Sequence, residues 1–236
     1  MCGIIAGIYE NVYDILLMGL TQLQNRGYDS AGICTIVDNS FEIIKKASSN
    51  ELTAIEYLKN SNLKGNIGIG HTRWATHGAK TDINSHPHIS QCEKFVLVHN
   101  GIIENYKQLK DFLIENDYIM KSQTDTEIIV NLLSYHYKIT QNIEVSIEKT
   151  IEKMEGTWGL VIMCIDEPEI LYVTRNGSPI LIGNDDKNVI ITSEQSGFCN
   201  RINNYFALNN NDICIISNKD NNIDIVTKDT YILNKV

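Results

Sequence analysis

The apolar residues of this chain come in short runs, and the order of those runs limits the fold more than any other feature. Five runs open the chain, at 2–9, 31–37, 41–47, 66–73 and 94–100. They are rich in Ile and Val and are bounded by Gly, Asn or Ser, which reads as strands. Six more close it, at 157–165, 169–175, 179–184, 188–193, 212–217 and 222–226. Helical spacing lies between and among them. Val12, Leu16, Leu20 and Leu23 recur near every 3.6 residues, with Asn11 placed as an N-cap. Further helices are predicted over 51–59, 105–116, 125–137 and 144–154, the last ending at Gly156. Strands, then helices, then strands predict an α+β fold with mainly antiparallel sheets rather than a doubly wound parallel sheet. The Asn-rich stretches 203–211 and 218–222 read as loops, and nothing marks a domain boundary, so 1–236 is expected to be a single domain.

Composition narrows the function classes. The 236 residues carry a formal net charge of −9, with 43% hydrophobic and 21% charged residues. A chain this acidic has no basic patch to repay phosphate contact, so nucleic acid is not expected as a partner. No apolar run approaches the ~18 residues that span a bilayer, and the apolar start reaches Glu10 without a basic region before it. No membrane contact and a cytoplasmic location are the expectation. The 6 cysteines are scattered without a Cys-x-x-Cys pair, which suggests neither a zinc ribbon nor a disulfide framework. Cys34, Cys164 and Cys214 sit inside apolar runs and read as buried core thiols.

Cys2 differs by position. Removal of Met1 would leave a cysteine that carries both a thiol and a free α-amine. The amine has a pKa of about 7.7–8.0, suited to a general base, and the thiol is a strong nucleophile once deprotonated. One residue then supplies nucleophile and base. The alternative is a cysteine that merely starts a buried strand. Residues 71–78, HTRWATHG, run from a strand end into a loop. There Arg73 can grip a carboxylate through two parallel hydrogen bonds, Thr76 and His77 add donors, and Gly78 offers a hinge. A surface arginine and a packed Trp74 would look the same. Asn100 and Gly101, after the run FVLVH, pair a side-chain amide with a glycine N–H, a suitable oxyanion hole. Asn-Gly is equally a hairpin-turn signal. Thr124 and Glu127 form the pattern of a capping box, and Asp125 between them can bind an ammonium group. His71, His77, His86, His88 and His99 cluster in sequence but show no metal-ligand spacing, so neither a metal nor a cofactor is expected.

Taken together these segments resemble the class II glutamine amidotransferases, which use an N-terminal nucleophile. The matching stretches are CGIIAGI (2–8), RGYDSAGI (26–33), HTRWATHG (71–78), NSHPH (84–88), HNGIIENY (99–106), SQTDTEII (122–129), RNGSPILIG (175–183) and TSEQSGF (192–198). RGYDSAG, HTRWATHG and HNGIIEN point to the hexosamine branch, the glutaminase domains of glutamine:fructose-6-phosphate aminotransferases. The resemblance implies a four-layer αββα sandwich of the N-terminal-nucleophile hydrolase type. It implies L-glutamine as substrate, Cys2 as nucleophile, and Asn100 and Gly101 as oxyanion hole. Arg73, Thr76 and His77 would hold the α-carboxylate and Asp125 the α-amine. His86 falls in a matching segment of the site region. Trp74 falls in the loop linked to ammonia passage, with Arg26 and Tyr28 near a domain interface. Gln24 and Asn25 stand where the family usually has Glu-Tyr, Ser85 where it has Ala, and Gln123 where it has Glu. The sugar-phosphate isomerase region that takes fructose 6-phosphate in such enzymes is expected outside these residues, in the same protein or in trans. A free-standing glutaminase subunit, another N-terminal-cysteine amidohydrolase and a non-catalytic glutamine sensor are the alternatives.

Overall fold

The structure is a computed structural model describing residues 2–74, 78–185, 187–219 and 222–236. Thr76, His77, Met1 and the side chain of Arg26 lie outside what it describes. Two antiparallel sheets form its centre. The first sheet contains β1 (Gly3–Ile8), β2 (Ser30–Val37), β3 (Ser40–Ala47), β4 (Ile67–Arg73), β9 (Leu181–Asn184), β10 (Val189–Thr192), β11 (Asn204–Ala207) and β14 (Asn234–Lys235), ordered β14-β11-β9-β10-β1-β4-β2-β3. The second contains β5 (His88–Ile89), β6 (Phe95–Ile103), β7 (Gly156–Cys164), β8 (Glu167–Asn176), β12 (Ile213–Lys219) and β13 (Asn222–Val226), ordered β13-β12-β8-β7-β6-β5. Helices α1 (Val12–Gln22) and α2 (Ala54–Lys59) cover the first sheet, and α3 (Tyr106–Glu115), α4 (Asp125–Thr140) and α5 (Ile143–Lys153) the second.

Side-chain alternation builds these layers. In β1, Ile4, Ala6 and Ile8 face the second sheet while Ile5 faces α1. In β6, Val96 and Val98 face the first sheet while Phe95 and Leu97 face the helices. β7 and β10 divide in the same way, Val161 and Met163 from Leu160 and Ile162, Val189 and Ile191 from Ile190. Both faces of each central strand are therefore apolar, which is why the runs show little alternation of polarity. The result is the expected four-layer αββα sandwich. Among the described residues no helix is long and apolar enough to cross a membrane.

Local details differ from the sequence reading. Asn11 occupies the N-cap position of α1 but adopts a left-handed conformation and makes no side-chain cap bond. The capping box that does form is at α2, where Thr53 and Glu56 satisfy one another's backbone N–H groups. At α4, Thr124 accepts from the Glu127 N–H, but the Glu127 carboxylate turns away to the N–H groups of Lys121 and Ser122. α5 ends at Lys153, and Gly156 begins β7. Within the Asn-rich stretch, β11 forms because Tyr205 and Phe206 pair with Gly183 and Ile182.

One segment outside the regular elements positions the site. Residues 84–88 run as a strap beside β2. The half-buried Lys45 ammonium donates to the carbonyls of Ser85 (2.8 Å) and Pro87 (3.0 Å). Gly32 opens the room for this seat, since a Cβ there would overlap the His86 carbonyl oxygen. Gly32→Ala is expected to destabilise the protein by about 3 kcal/mol, the upper range for overpacking against backbone. Urea unfolding measures this, and an unchanged midpoint would show that the strap is not seated so closely.

Candidate active site

The space between the sheets changes character towards one end. Along β4 the inward positions run Ile67, Ile69, His71, Arg73, and along β6 they run Val96, Val98, Asn100. Cys2 lies two residues before the inward-facing Ile4. The same period of two that builds the core thus brings a thiol, an imidazole, a guanidinium and an amide together where the apolar residues stop.

Cys2 is held by Trp74 and by Asn100. The Trp74 N–H donates to its Sγ at 3.2 Å, and Sγ lies 3.6 Å from the Trp74 carbonyl oxygen. From the other sheet, the Asn100 Nδ2 donates to the Cys2 carbonyl at 3.0 Å. Two residues on, the Ile4 N–H donates to the Ser193 Oγ at 3.0 Å, fixing the start of β1. A backbone N–H aimed at sulfur favours the thiolate, the form that attacks.

Asn100 and Gly101 do not make a turn. β6 continues to Ile103, with Asn100 opposite Gly159 and Gly101 opposite Trp158. Gly101 has φ +135°, and a Cβ there would overlap the Thr157 carbonyl oxygen, so the position requires glycine. Beyond it the Ile102 N–H donates to the Thr157 Oγ1 (3.2 Å) and the Ile103 N–H to the Asp125 Oδ2 (3.0 Å). That second bond fixes the Asp125 carboxylate at the first turn of α4. A cavity of about 120 Å³ lies here, lined by Gly78, Ile102, Ile103, Gln123 and Asp125 among others.

Arg73 ends β4 and is buried. Burial lowers its guanidinium pKa from the ordinary value, and the charges of Cys2, Asp29 and Asp125 oppose that shift. Its Nη1 donates to the Ala79 carbonyl at 3.4 Å. Ala79 is pinned through Asn84 and Gln123, which sequence reasoning did not place in the site. Asn84 Nδ2 donates to the Ala79 carbonyl (2.8 Å), the Ala79 N–H donates to Gln123 Oε1 (3.0 Å), and the Gln123 N–H donates to Asn84 Oδ1 (2.9 Å). Two acceptor oxygens on a glutamate would serve Ala79 as well, so glutamine at 123 preserves this link. Trp74 and Tyr28 meet edge to face at 5.3 Å between ring centres, both exposed at the surface.

Behind Asn100 lies a buried group of four imidazoles that no sequence signal revealed as a unit. His71 and His86 stack at 4.0 Å, and His88 meets His86 edge to face at 4.9 Å. His86 does not extend into open space: its Nδ1 accepts from the His99 N–H at 3.4 Å and its Nε2 pairs with Thr126 Oγ1 at 3.3 Å. His99 Nδ1 lies 3.1 Å from the same hydroxyl, and His88 Nε2 lies 3.1 Å from Thr124 Oγ1. Burial favours the neutral form of all four. It lowers His71 to about 3, and it holds His86 and His88 well below the ordinary histidine value. His99 is lowered by burial too, with Asp125 opposing.

Residues 71–200 match the model of the glutamine amidotransferase domain family. The chain belongs to that family. Two relatives share its sequence over nearly all its length. It is 40% identical over 220 residues to a glutamine–fructose-6-phosphate aminotransferase [isomerizing] of Clostridium perfringens, covering 92% of this chain and 35% of the relative. It is 42% identical over 244 residues to a probable enzyme of the same name from Acanthamoeba polyphaga mimivirus, covering 98% and 39%. This amidotransferase chain therefore spans little more than a third of the curated relatives it matches. Among solved structures, glutamine phosphoribosylpyrophosphate amidotransferase from B. subtilis superposes with a TM-score of 0.78 at 25% identity, over 95% of this chain and 49% of that one. The two-sheet sandwich is thus that of the N-terminal-nucleophile amidotransferases.

The imidazole group sets an acid limit on stability. In the unfolded chain a histidine takes up a proton below about pH 6.5, whereas folded His71 stays neutral to about 3. The unfolded state then binds more protons, so stability present at pH 7 is lost as pH falls through this window. His71 alone should cost about 2 kcal/mol between pH 7 and pH 5, with His86, His88 and His99 acting in the same direction. Urea midpoints at pH 7, 6 and 5 measure it, and equal midpoints would contradict neutral buried rings.

Proposed function

We propose that this chain hydrolyses L-glutamine to glutamate and ammonia through a Cys2 thioester. We further propose that it supplies the ammonia to a sugar-phosphate isomerase region acting on fructose 6-phosphate. The observation that carries the first part is the seat of Cys2. Its sulfur accepts a backbone N–H from Trp74 while Asn100, from the opposite sheet, reaches its carbonyl. The second part is supported by relatives of which this chain matches 35% and 39%, leaving room in those proteins for another region.

With Met1 removed, the Cys2 thiol passes its proton to the α-amine. Sulfur then attacks the side-chain amide carbon of glutamine, forming a C–S bond. Negative charge gathers on the amide oxygen, and in this reading the Asn100 Nδ2 and the Gly101 N–H donate to it. As the tetrahedral species collapses the C–N bond breaks, the ammonium form of the Cys2 amine returns the proton, and ammonia leaves. Water hydrolyses the thioester, restoring the thiol and releasing glutamate. The planar, donor-rich Arg73 guanidinium suits the substrate carboxylate, and the Asp125 carboxylate its ammonium. Thr76 and His77 belong to the same carboxylate clamp in this reading. Trp74 and Tyr28, exposed together beside Cys2, form with Arg26 the side through which ammonia passes to the partner region.

Glutamate release from glutamine tests the reading. The chain with Met1 removed should turn over glutamine, and Cys2→Ala should lower the rate by about 10³-fold or more. Unchanged turnover in Cys2→Ala would remove Cys2 as nucleophile. Glucosamine 6-phosphate formed only when the isomerase region is supplied with fructose 6-phosphate would support the second part, and its absence would leave a free-standing glutaminase.

A further inference from the structure

We infer that His71 is a positioning residue for glutamine hydrolysis, whose Nε2–H holds the Asn100 amide in the one orientation that aims Nδ2 at Cys2. The inference rests on the proposed oxyanion role of Asn100.

His71 is buried, 1% exposed, on the inward face of β4, opposite Ile4 in one neighbouring strand and Gly32 in the other. Its Nε2 lies 3.1 Å from the His99 carbonyl oxygen and 3.0 Å from the Asn100 Oδ1. A backbone carbonyl only accepts, so Nε2 carries the hydrogen. The other ring nitrogen, Nδ1, is buried with no hydrogen-bond partner among the described residues. The ring therefore has one tautomer that suits its surroundings, and stacking on His86 at 4.0 Å fixes its plane. Protonating it would bury a second N–H with nothing to accept it, in agreement with the low pKa.

The sense of the Asn100 amide follows. With Oδ1 against the His71 N–H, the NH2 group turns to the Cys2 carbonyl. The reversed amide would set NH2 against an N–H donor and Oδ1 against the Cys2 carbonyl oxygen. It would also present an oxygen to the oxyanion. An asparagine amide is nearly symmetric in shape, so packing alone does not choose between the two; the His71 N–H and the Cys2 carbonyl choose together, and His71 is the side-chain half of that pair. Because the oxyanion exists only after attack, a loosened amide should affect kcat far more than the KM for glutamine.

The test is a double-mutant cycle on glutaminase activity, using His71→Leu, His71→Gln and Asn100→Ala. Asn100→Ala alone should lower kcat by about 10²-fold or more, the effect of losing an oxyanion donor; if it does not, the oxyanion reading itself fails. Given that loss, His71→Leu should lower kcat by about 10- to 100-fold with KM changed less than about 3-fold. His71→Gln, which keeps an N–H near the Nε2 position, should restore kcat to within about 5-fold. On the Asn100→Ala background, His71→Leu should cost less than about 2-fold more. A silent His71→Leu, or effects that multiply in full, would overturn the inference. Alkylation of Cys2 by iodoacetamide needs no oxyanion donor, so its rate should be the same in His71→Leu; a loss parallel to kcat would show that His71 acts through the thiol instead. Should the leucine variant not fold, nitrogen NMR of the unaltered chain decides: an Nε2–H tautomer from pH 6 to 8 supports the inference, and an Nδ1–H tautomer or an imidazolium overturns it.

Discussion

A single hydrogen bond between the sheets, from Asn100 Nδ2 to the Cys2 carbonyl, sets the geometry on which the rest of the site depends. It ties the start of β1 in the first sheet to β6 in the second. Deeper in the molecule the sheets meet through apolar side chains, mainly Ile and Val, contacts that hold them together without fixing a particular atom on a particular atom. At this end directional bonds take over. The transition is made within strands, as Ile69 gives way to His71 and Arg73, and Val98 to Asn100. The core supplies rigidity and the polar end uses it, so that Cys2, Asn100 and Gly101 are held at the ends of strands.

Support for that bond extends outward in two directions. Behind it, four neutral imidazoles and the hydroxyls of Thr124 and Thr126 form a buried polar layer between β6, α4 and the strap at 84–88. Lys45 holds the strap and Gly32 gives it room. In front, Asp125 is fixed by the Ile103 N–H, and Ala79 is tied down through Asn84 and Gln123. Opposite charges on Arg73 and Asp125 then flank the Cys2 end of the sandwich, an arrangement matched to the two charged groups of a free amino acid.

Most of the architecture was legible because each apolar run is short and bounded by residues that break strands. What was not legible has physical causes. Strands buried on both faces lose the alternation that reveals which side chain points where, so the meeting of Cys2, His71, Arg73 and Asn100 could not be read from any one segment. Asn100–Gly101 carries a turn signal, yet the chain runs on because Thr157 and Asp125 accept the next two N–H groups that a turn would have freed. Asn11 looked like a helix cap, but its side chain takes no part in capping. The histidines invited a question about metal by clustering in sequence, although their spacing is not that of metal ligands. Their actual roles depend on neighbours such as Thr126 and His99 that only the fold brings near. Cys2 itself stood out only by its position, and the segments resembling known amidotransferases made that position meaningful.

The central claim is that Cys2, freed of Met1, is the nucleophile that attacks glutamine. Labelling with a glutamine analogue bearing a diazoketone in place of the amide, followed by peptide mass mapping, tests it most directly. The prediction is one adduct per chain, on an N-terminal Cys2, formed only in molecules lacking Met1 and suppressed by excess glutamine. An adduct on any other cysteine, or equal labelling of chains that retain Met1, would contradict it.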